Sequence, residues 1–366
     1  MRVKLEDVCE RGSSNIKQSD IIKMRGNYPI YGASGLVGKV NFYHQEQPYV
    51  AVVKDGAGIG RTTLNPAKSS VIGTMQYLIP KKNVLPEYLF YVVSYMHLEK
   101  YYTGATIPHI YFKDYKNEEF NLDNIEKQLE IIEVLGRCKK VIEARKQELV
   151  ELDRLTKARF VEMFGDPIQN PKGWEVVTIG DIVTEVRYGT SKPAVEGGKY
   201  PYLRMNNLTA DGHLDLNDLK YIDIPDDEIE KCVVRKGDVL FNRTNSIELV
   251  GKTAVFDLPE DMIIAGYIIR VRLTEKMLPE VLSQYMNLEA LKGILRGMAK
   301  GAVNQANINA QELQSIKVYI PEMELQKQFV KMKEQIYKSK FDTMTFAPIY
   351  AIINLYLHTY FYQGRR

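Results

Sequence analysis

Two short segments carry residue types that could bind a phosphate group. Residues 55–60 read Asp-Gly-Ala-Gly-Ile-Gly, and residues 246–253 read Ser-Ile-Glu-Leu-Val-Gly-Lys-Thr, a P-loop pattern with Ser246 where the first glycine belongs. A phosphate loop must open a helix, because the helix N-terminus binds the anion. The residues that follow each segment, 61–66 and 253–256, favour strands instead. We therefore predict tight turns within a sheet and no cofactor bound by this chain.

Other catalytic chemistries lack their residue sets. Pro-Asp at 225–226 has no downstream Asp/Glu-x-Lys to hold magnesium, and Asn-Pro at 65–66 and 170–171 lacks the second proline and the aromatic residue of base-amino methyltransferases. The five histidines show no metal-binding spacing. They are His44, His97, His109, His213 and His358. The sequence therefore predicts no metal site and no catalytic residues.

Loops rich in Arg, Lys, Asn, Tyr and Gly offer a different chemistry, the recognition of DNA. Forked guanidinium groups and side-chain amides match base edges, and small residues allow the backbone to approach phosphates. The alternative is ordinary polar turn composition. The candidate DNA contacts are Lys17, Tyr31, Ser34, Lys54 and Arg61 in residues 1–121, and Arg187, Tyr188, Ser191, Lys192, Arg204, Asn206, Arg243, Thr244 and Asn245 in residues 167–321.

A long helix separates the two sets of loops. Residues 122–164 contain no proline, and aliphatic residues recur at spacings of three, four and seven from Ile125 to Leu155, which lines one helix face. At ~1.5 Å per residue such a helix is roughly 64 Å long. Gly-Asp-Pro at 165–167 provides the stop signal. We predict a helical spacer over 122–166 whose apolar stripe requires a partner helix.

The segments on either side resemble each other. Both contain short strand-like runs, such as 49–53, 239–241 and 268–271, and one helix-like stretch each, 86–102 and 279–298. Five landmarks recur in the same order: Leu-Glu-Asp-Val at 5–8 and Ile-Gly-Asp-Ile at 179–182, then Tyr-Pro at 28 and 200, Pro-Glu at 86 and 279, Gly-Ala at 104 and 301, and Lys-Gln at 127 and 327.

This repeat predicts an α+β protein with two similar α/β domains, separated by long antiparallel coiled-coil helices. The domains are 1–121 and 167–321, and a second helical spacer over 322–345 follows the second domain. The 366 residues carry a net charge of only +3, so basic surfaces must be local. Three scattered cysteines and the absence of an apolar leader predict a cytoplasmic protein.

Several motifs together are similar to those of the specificity (S) subunit of type I restriction-modification enzymes. They are Tyr-Pro-Ile-Tyr-Gly-Ala-Ser-Gly at 28–35, Gly-Ala-x-Ile-Pro-His at 104–109, Leu-Thr-Lys-Ala-Arg-Phe-Val-Glu-Met-Phe-Gly-Asp-Pro at 155–167, Lys-Gly-Asp-Val-Leu at 236–240 and Gly-Ala-Val-Asn-Gln at 301–305. The resemblance covers residues 1–340.

The resemblance implies a function in DNA recognition. Each domain would bind one half of a split, asymmetric site in double-stranded DNA, and the helices would set the spacing and dock two modification (methyltransferase) subunits. Restriction subunits would join in the full complex. The partner subunits would use S-adenosylmethionine, ATP and Mg, whereas this chain would bind none of them. A stand-alone DNA nuclease or methyltransferase and a coiled-coil adaptor protein are the alternatives.

The sequence departs from the family after Lys340. Pro348 breaks a helix, and residues 346–362 are rich in aromatic side chains. Pro348, Asn354 and His358 interrupt this stretch, which argues against a membrane span. We predict that residues 346–366 form an atypical C-terminal tail.

Overall fold

The computed structural model describes residues 1–22, 24–103, 108–302, 305–344 and 359–363. The chain divides into two compact units. The first unit contains Met1–Lys146 and Met344–Arg366, and the second contains Gln147–Thr343.

The first unit is built from short strands and helices. A 3-10 turn, Leu98–Tyr101, follows the helix at Pro86–Ser94. Its elements are β1 (Arg2–Lys4), α1 (Leu5–Val8), β2 (Cys9–Ser13), α2 (Gln18–Ile21), β3 (Tyr28–Gly32), β4 (Gly35–Val40), β5 (Tyr49–Val53), β6 (Thr62–Asn65), β7 (Ser70–Val71), β8 (Met75–Pro80), α3 (Pro86–Ser94), α4 (Phe112–Tyr115) and β9 (Glu119–Asn121).

A long helix, α5 (Ile125–Phe164), leads into the second unit, which repeats the pattern with additional elements. It includes 3-10 turns at Ile179–Ile182 and Met205–Asn207. Its other elements are β10 (Glu175–Thr178), β11 (Val183–Tyr188), β12 (Tyr200–Leu203), β13 (Lys220–Ile222), α6 (Asp226–Cys232), β14 (Val233–Val234), β15 (Val239–Asn242), β16 (Thr244–Asn245), β17 (Thr253–Val255), β18 (Met262–Ile264), β19 (Ile268–Leu273), α7 (Pro279–Met286), α8 (Glu289–Met298), β20 (Lys300–Ala302), β21 (Gln305–Asn307), α9 (Ala310–Gln314), β22 (Lys317–Ile320) and α10 (Met323–Met344).

The main sheets of the two units have the same strand order, and the second sheet of the second unit has one additional strand, β14. The main sheets have the orders β2-β8-β5-β6 and β11-β19-β15-β17. The second sheets are β4-β3-β7 and β13-β12-β18-β14, and in each one a strand pair is parallel, β3 with β7 and β12 with β18. The pairs β1-β9 and β10-β22 also correspond. The predicted α+β class and the internal repeat are confirmed.

The central strand of each main sheet explains why the units fold. Every residue of β5 and of β15 is buried, and both strands lie where the apolar runs at 49–53 and 239–241 predicted strands. Helix α3 packs its apolar face on the first core, and α7 does the same in the second. These sheets give each unit a rigid support for its loops.

The long helix lies within the predicted spacer, residues 122–166. Helix α5 has 40 residues, and Gly165, with a φ of +89°, ends it by donating its N–H to the Val161 carbonyl at 2.8 Å. Within the second unit, Phe160 packs on Phe329 and Asp153 pairs with Lys340. The residue numbers fall along α5 as they rise along α10, so these segments run antiparallel, as predicted.

A buried glutamine near the start of each long helix, α5 and α10, binds the residue that precedes a short helix, α3 or α7. Gln128 Oε1 accepts the Leu85 N–H at 2.8 Å, and Gln326 Oε1 accepts the Leu278 N–H at 2.9 Å. Both side chains are 0% exposed. The sequence-based match of Lys-Gln at 127–128 with 327–328 is therefore wrong by two residues, because the structural counterpart of Gln128 is Gln326.

The two predicted helices 86–102 and 279–298 are each broken. His97 adopts a left-handed conformation, with a φ of +51°, after α3 has ended. In the second unit Asn287 Nδ2 donates to the carbonyls of Thr253 at 2.5 Å and Ser283 at 2.9 Å, and Leu288 is extended. In the second unit the contact with Thr253, which is distant in sequence, overrides local helix propensity. Both single-helix predictions are therefore wrong.

The predicted tail lies mostly outside the described residues. Within it, Thr359–Gln363 form a short π-helical turn that belongs to the first unit. In the part of the chain that the structure describes, every helix is too short or too polar to span a bilayer. Residues 104–107 and 303–304 of the two Gly-Ala motifs are also outside the described ranges.

The buried glutamine supports a stability prediction. Gln326→Leu removes the acceptor of the Leu278 N–H and the donor to the carbonyls of Lys276 and Pro321. A buried group left unsatisfied costs about 1–3 kcal/mol, so we expect a loss of about 3 kcal/mol in the free energy of unfolding of the second unit, measured by urea denaturation.

Gln328→Leu is the matched control, because Gln328 is exposed and should change that free energy by less than about 0.5 kcal/mol. A larger loss in Gln328→Leu than in Gln326→Leu would contradict the structural pairing of Gln128 with Gln326.

Candidate nucleic-acid interface

Three predicted recognition loops of the first unit meet at one turn, residues 72–74. Each loop is joined to this turn by one backbone hydrogen bond, so the arrangement does not depend on the loop side chains. The loops that carry Lys17, Ser34 and Lys54 are therefore neighbours. The bonds run from Ile72 N–H to the Tyr31 carbonyl at 2.9 Å, from Gly73 N–H to the Ile16 carbonyl at 2.8 Å, and from Lys54 N–H to the Thr74 carbonyl at 2.9 Å.

The second unit repeats this arrangement at residues 265–267. Its three loops carry Ser191, Asn206 and Arg243, and the same three kinds of bond hold them. Arg243 is thus the structural counterpart of Lys54. The bonds run from Ala265 N–H to the Leu203 carbonyl at 2.9 Å, from Gly266 N–H to the Thr190 carbonyl at 2.7 Å, and from Arg243 N–H to the Tyr267 carbonyl at 2.9 Å.

The two glycine-containing segments have matching turns. Gly60 N–H donates to the Val53 carbonyl at 2.9 Å, and Gly251 N–H donates to the Asn242 carbonyl at 2.8 Å. Both glycines are left-handed, with φ values of +80° and +81°, which a residue with a Cβ rarely adopts. Strands β6 and β17 follow the turns. The prediction of tight turns within a sheet is confirmed.

A cation after each glycine ties this turn to a second loop. Arg61 Nη1 donates to the Ala33 carbonyl at 3.0 Å, and Lys252 Nζ donates to the Met205 carbonyl at 2.7 Å and to the Leu208 carbonyl. Lys252 is only 7% exposed, and burial lowers its pKa. Its ammonium group therefore binds backbone carbonyls inside the unit, unlike a P-loop lysine, which binds phosphate.

The two counterpart cations differ in their partners. In the first unit Lys54 Nζ lies 2.6 Å from Asp55 Oδ2, and the other carboxylate oxygen of Asp55 lies 2.7 Å from His109 Nδ1. The His109 ring stacks on Tyr111, which is 50% exposed. Positive charge, carboxylate and imidazole thus share one small surface, and the charge of Lys54 is partly neutralised.

In the second unit the guanidinium of Arg243 lies 4.8 Å from the centre of the Tyr188 ring. Its buried Nε has no hydrogen-bond partner, and no carboxylate among the described residues pairs with it. The Tyr188 hydroxyl accepts the Ala310 N–H at 2.8 Å, which fixes the ring. A stacked guanidinium with unused donors can bind a planar acceptor such as a base edge.

Neighbouring polar side chains complete this surface. Thr244 Oγ1 donates to Asn307 Oδ1 at 2.9 Å, and the strands β16 and β21 that carry them are paired. Asn245 Nδ2 donates to the buried Asn242 Oδ1 at 2.8 Å. The predicted residues Tyr188, Arg243, Thr244 and Asn245 are therefore brought together.

Other predicted cations already have acidic partners. Arg204 Nη2 lies 2.7 Å from Asp218 Oδ2, and hydrogen bonds from Lys220 and then Arg204 lower the pKa of Asp218. Lys192 Nζ lies 2.8 Å from Glu228 Oε2. Arg187 is exposed, with Nε 3.9 Å from Glu185 Oε2. Contact of these three residues with DNA stays a prediction.

The remaining predicted contacts are on the surface. Lys17 precedes α2, Ser34 lies in the turn between β3 and β4, and Ser191 and Asn206 lie in the loops after β11 and β12; all four are exposed. Tyr31 is half-buried in β3. Their role in binding also stays a prediction.

Sequence analysis missed the residues that join the loops to later segments. The Asp55–His109 hydrogen bond in the first unit and the Thr244–Asn307 hydrogen bond in the second occupy equivalent positions. Tyr267, beside Arg243, is 51% exposed. The only available signal was position, because His109 ends the first Gly-Ala motif and Asn307 lies two residues after the second. Nothing in the local sequence indicates these long-range pairs.

One group among the described residues has the composition of a metal site. Potential ligand atoms of Asp153, Asp211 and His213 lie within 4.8 Å of one another. Lys340 Nζ already pairs with Asp153, and Lys333 lines the same pocket. Two ammonium groups disfavour a divalent cation here, so we interpret the group as an ion-pair cluster between α5, α10 and the 208–214 loop.

The duplicated main sheets and loop clusters make this chain an α+β protein built from two similar units. A model of the type I restriction modification DNA specificity domain matches residues 1–154 and 171–348. The chain therefore belongs to the type I restriction-modification DNA specificity family.

Individual relatives agree with this assignment. The chain is 29% identical over 160 residues to the type I restriction enzyme EcoKI specificity subunit of Escherichia coli strain K12, which is 43% of this chain and 34% of that protein. The alignments with curated relatives span only 34–39% of the relatives' lengths.

Solved structures share the fold. The S subunit of a type I restriction-modification system from M. genitalium superposes with a TM-score of 0.59 and 14% identity, over 98% of this chain and 95% of that one. A chain from work on complex assembly and conformational transition of the type I R-M system gives 0.57 and 17%, over 98% and 97%.

The ion-pair cluster generates a pH prediction. Burial, only partly opposed by Asp211, lowers the pKa of His213 below its usual 6.5. As the pH falls through 6.5, the unfolded chain gains a proton that the folded chain does not bind, so the second unit loses stability towards acid. In His213→Gln, the urea concentration at the unfolding midpoint should fall less steeply than in the wild type as the pH is lowered from about 7.5 to 5.5.

His97→Asn is the control, because His97 is 62% exposed and Asn tolerates its left-handed backbone. It should retain the wild-type slope of stability against pH. An unchanged slope in His213→Gln would show that this histidine does not sense pH in the fold.

Proposed function

We propose that this chain is the non-catalytic DNA-recognition subunit of a type I restriction-modification complex. Each unit binds one half of a bipartite, asymmetric site in double-stranded DNA. The observation that carries the proposal is the repeated turn, at 72–74 and 265–267, which joins three loops in each unit by equivalent backbone bonds. Side chains differ on this common support, which is what two different half-sites require.

The second unit supports base recognition through Arg243. A guanidinium that is stacked on Tyr188 and lacks an acidic partner among the described residues has lost little of its donor capacity to the protein. Arginine donates two parallel hydrogen bonds to O6 and N7 of guanine in the major groove. We therefore propose that Arg243 contacts guanine, with Thr244 and Asn245 beside it.

The first unit supports a different choice of base. Asp55 holds Lys54 and His109 at 2.6 and 2.7 Å, so its loop presents an acceptor together with donors. A carboxylate accepts hydrogen bonds from base amino groups and is repelled by phosphates. We propose that the 54–61 loop contacts base edges and that the exposed Lys17 and Arg61 lie nearer to the DNA backbone.

The helices support a role in spacing and docking. The charged residues of α5 pair mainly with each other at spacings of three and four, as in Arg137 with Glu133 and Arg154 with Glu151. Large apolar side chains stay exposed between them, including Val134 at 57% and Val141 at 53%. This surface suits a protein partner better than phosphates.

The partners that we propose are two modification subunits, which use S-adenosylmethionine, and restriction subunits, which use ATP and Mg. Support comes from the family and from the related solved chain studied for assembly of a type I R-M complex. We propose a cytoplasmic location, where the complex meets DNA.

The direct test is the methylation pattern of a host that expresses this chain together with a type I modification subunit encoded beside it. Sequencing that detects N6-methyladenine should reveal a split motif with a fixed gap. A continuous motif, or turnover of DNA by the chain alone with Mg or S-adenosylmethionine, would contradict the proposal.

Arg243→Ala tests the proposed base contact. Loss of a bidentate contact costs about 1–3 kcal/mol at one base pair, so discrimination at one position of one half-site should fall roughly 5- to 150-fold. Competition binding by the purified complex, at one fixed salt concentration, measures this ratio.

Arg235→Ala is the matched control, because Arg235 pairs with Glu230 and Asp261 on the surface of the same unit and should leave discrimination unchanged. An equal loss of affinity of Arg243→Ala for all DNA sequences would instead identify a phosphate contact.

A further inference from the structure

In each unit, one polar residue lies between two backbone partners beside the loop cluster. In the second unit this residue is Asn307 of β21, which is paired with Thr244 of β16 on one side and with β20 on the other. In the first unit it is His109, which forms antiparallel bridges with Asp55 on one side and with Thr103 on the other. The two residues therefore have the same place in a three-stranded arrangement.

A further backbone bond fixes both residues next to the counterpart cations Lys54 and Arg243. The residue after His109 donates its N–H to the Lys54 carbonyl at 3.0 Å, and the residue after Asn307 donates its N–H to the Arg243 carbonyl at 2.9 Å. These bonds join backbone groups, so the fold sets the position of each side chain and leaves its chemistry free to vary. His109 and Asn307 are therefore structural counterparts with different side chains.

In the second unit the partner of Asn307 uses the oxygen of its amide. Thr244 Oγ1 donates to Asn307 Oδ1 at 2.9 Å. An amide side chain carries its acceptor on the oxygen and its two donors on the nitrogen, so this bond leaves the donors unused. No group in the part of the chain that the structure describes pairs with Nδ2 of the half-buried Asn307. Asn307 therefore presents hydrogen-bond donors beside Arg243.

In the first unit the partner of His109 has the opposite polarity. Asp55 Oδ1 lies 2.7 Å from His109 Nδ1, and Lys54 holds the other carboxylate oxygen at 2.6 Å. A carboxylate only accepts, so Nδ1 carries the proton and the neutral imidazole has its acceptor at Nε2. The ring is fixed by stacking on Tyr111, and no described residue donates to Nε2. His109 therefore presents an acceptor beside Lys54.

We propose that His109 and Asn307 are specificity-determining residues of opposite polarity, and that Asp55 and Thr244 are the positioning residues that set this polarity. The proposal rests on the proposed contact of these loops with base edges, and it adds the group that each unit recognises. His109 Nε2 accepts a hydrogen bond from the exocyclic amino group of adenine or cytosine in the major groove. Asn307 Nδ2 donates to the corresponding oxygen, O6 of guanine or O4 of thymine.

Thr244→Asp tests this polarity in the second unit without changing Asn307. The new carboxylate only accepts, so the amide of Asn307 should turn to donate to it and leave Oδ1 for the DNA. At one position of one half-site, the preference for guanine over adenine, or for thymine over cytosine, should shift towards the amino-bearing base roughly 5- to 150-fold. Competition binding by the purified complex with the modification subunits, at one fixed salt concentration, measures this ratio.

Thr244→Ser is the matched control, because its hydroxyl can still donate to Asn307 Oδ1 and should keep the wild-type ratio. Asn307→Ala should abolish the preference at that position, both alone and combined with Thr244→Asp. A wild-type ratio in Thr244→Asp, or an equal ratio in Thr244→Asp with and without Asn307→Ala, would overturn the inference.

A second measurement uses the wild-type complex, so it does not depend on the folding of a variant. Each adenine or cytosine of the other half-site, apart from the adenines that become methylated, is replaced singly by purine or 2-pyrimidinone, which lack the exocyclic amino group. One replacement should lower the affinity roughly 5- to 150-fold, and a complex with His109→Ala should be insensitive to that replacement.

The two kinds of failure are distinguishable. A wild-type complex that binds a split motif but is insensitive to every replacement would overturn the inference and leave the proposed function intact. The absence of a split motif would instead contradict the proposed function and the inference with it.

Discussion

The fold depends on one repeated constraint, the backbone hydrogen bonds that join three loops to a single turn. In the first unit the turn is 72–74, and in the second it is 265–267. These bonds join backbone groups, so the loops stay together whatever side chains they carry. The central strands β5 and β15, which are buried along their whole length, hold each turn against a rigid sheet.

This division between backbone and side chains explains how one fold supports two recognition surfaces. Lys54 and Arg243 occupy the same place, yet Lys54 is paired with Asp55 whereas Arg243 is stacked on Tyr188. The hydrogen-bond donors of Lys54 are therefore partly used by the protein, whereas those of Arg243 are available, although the same backbone turn supports both residues. On the proposed function, variation at such positions would change the bases that can be bound and leave the core of the unit intact. The internal repeat is therefore a duplication of the scaffold in which the side chains at counterpart positions differ.

Periodic and local features were predictable from the sequence, and long-range ones were not. The aliphatic spacing predicted α5, and apolar runs predicted β5 and β15, because these patterns are set by burial of one face or of a whole strand. The break at Asn287 depends on Thr253, and the burial of Phe361 depends on Tyr88; neither partner is near in sequence. Composition identified the loops but could not distinguish Arg204, paired with Asp218, from Arg243.

The central claim is that the two units bind their half-sites independently. It is tested most directly by replacing residues 167–321 with the matching domain of another family member and determining the N6-methyladenine motif in a host that supplies the modification subunit. The account predicts that one half-site changes while the other half-site is retained. A change in both half-sites, or in neither, would contradict it.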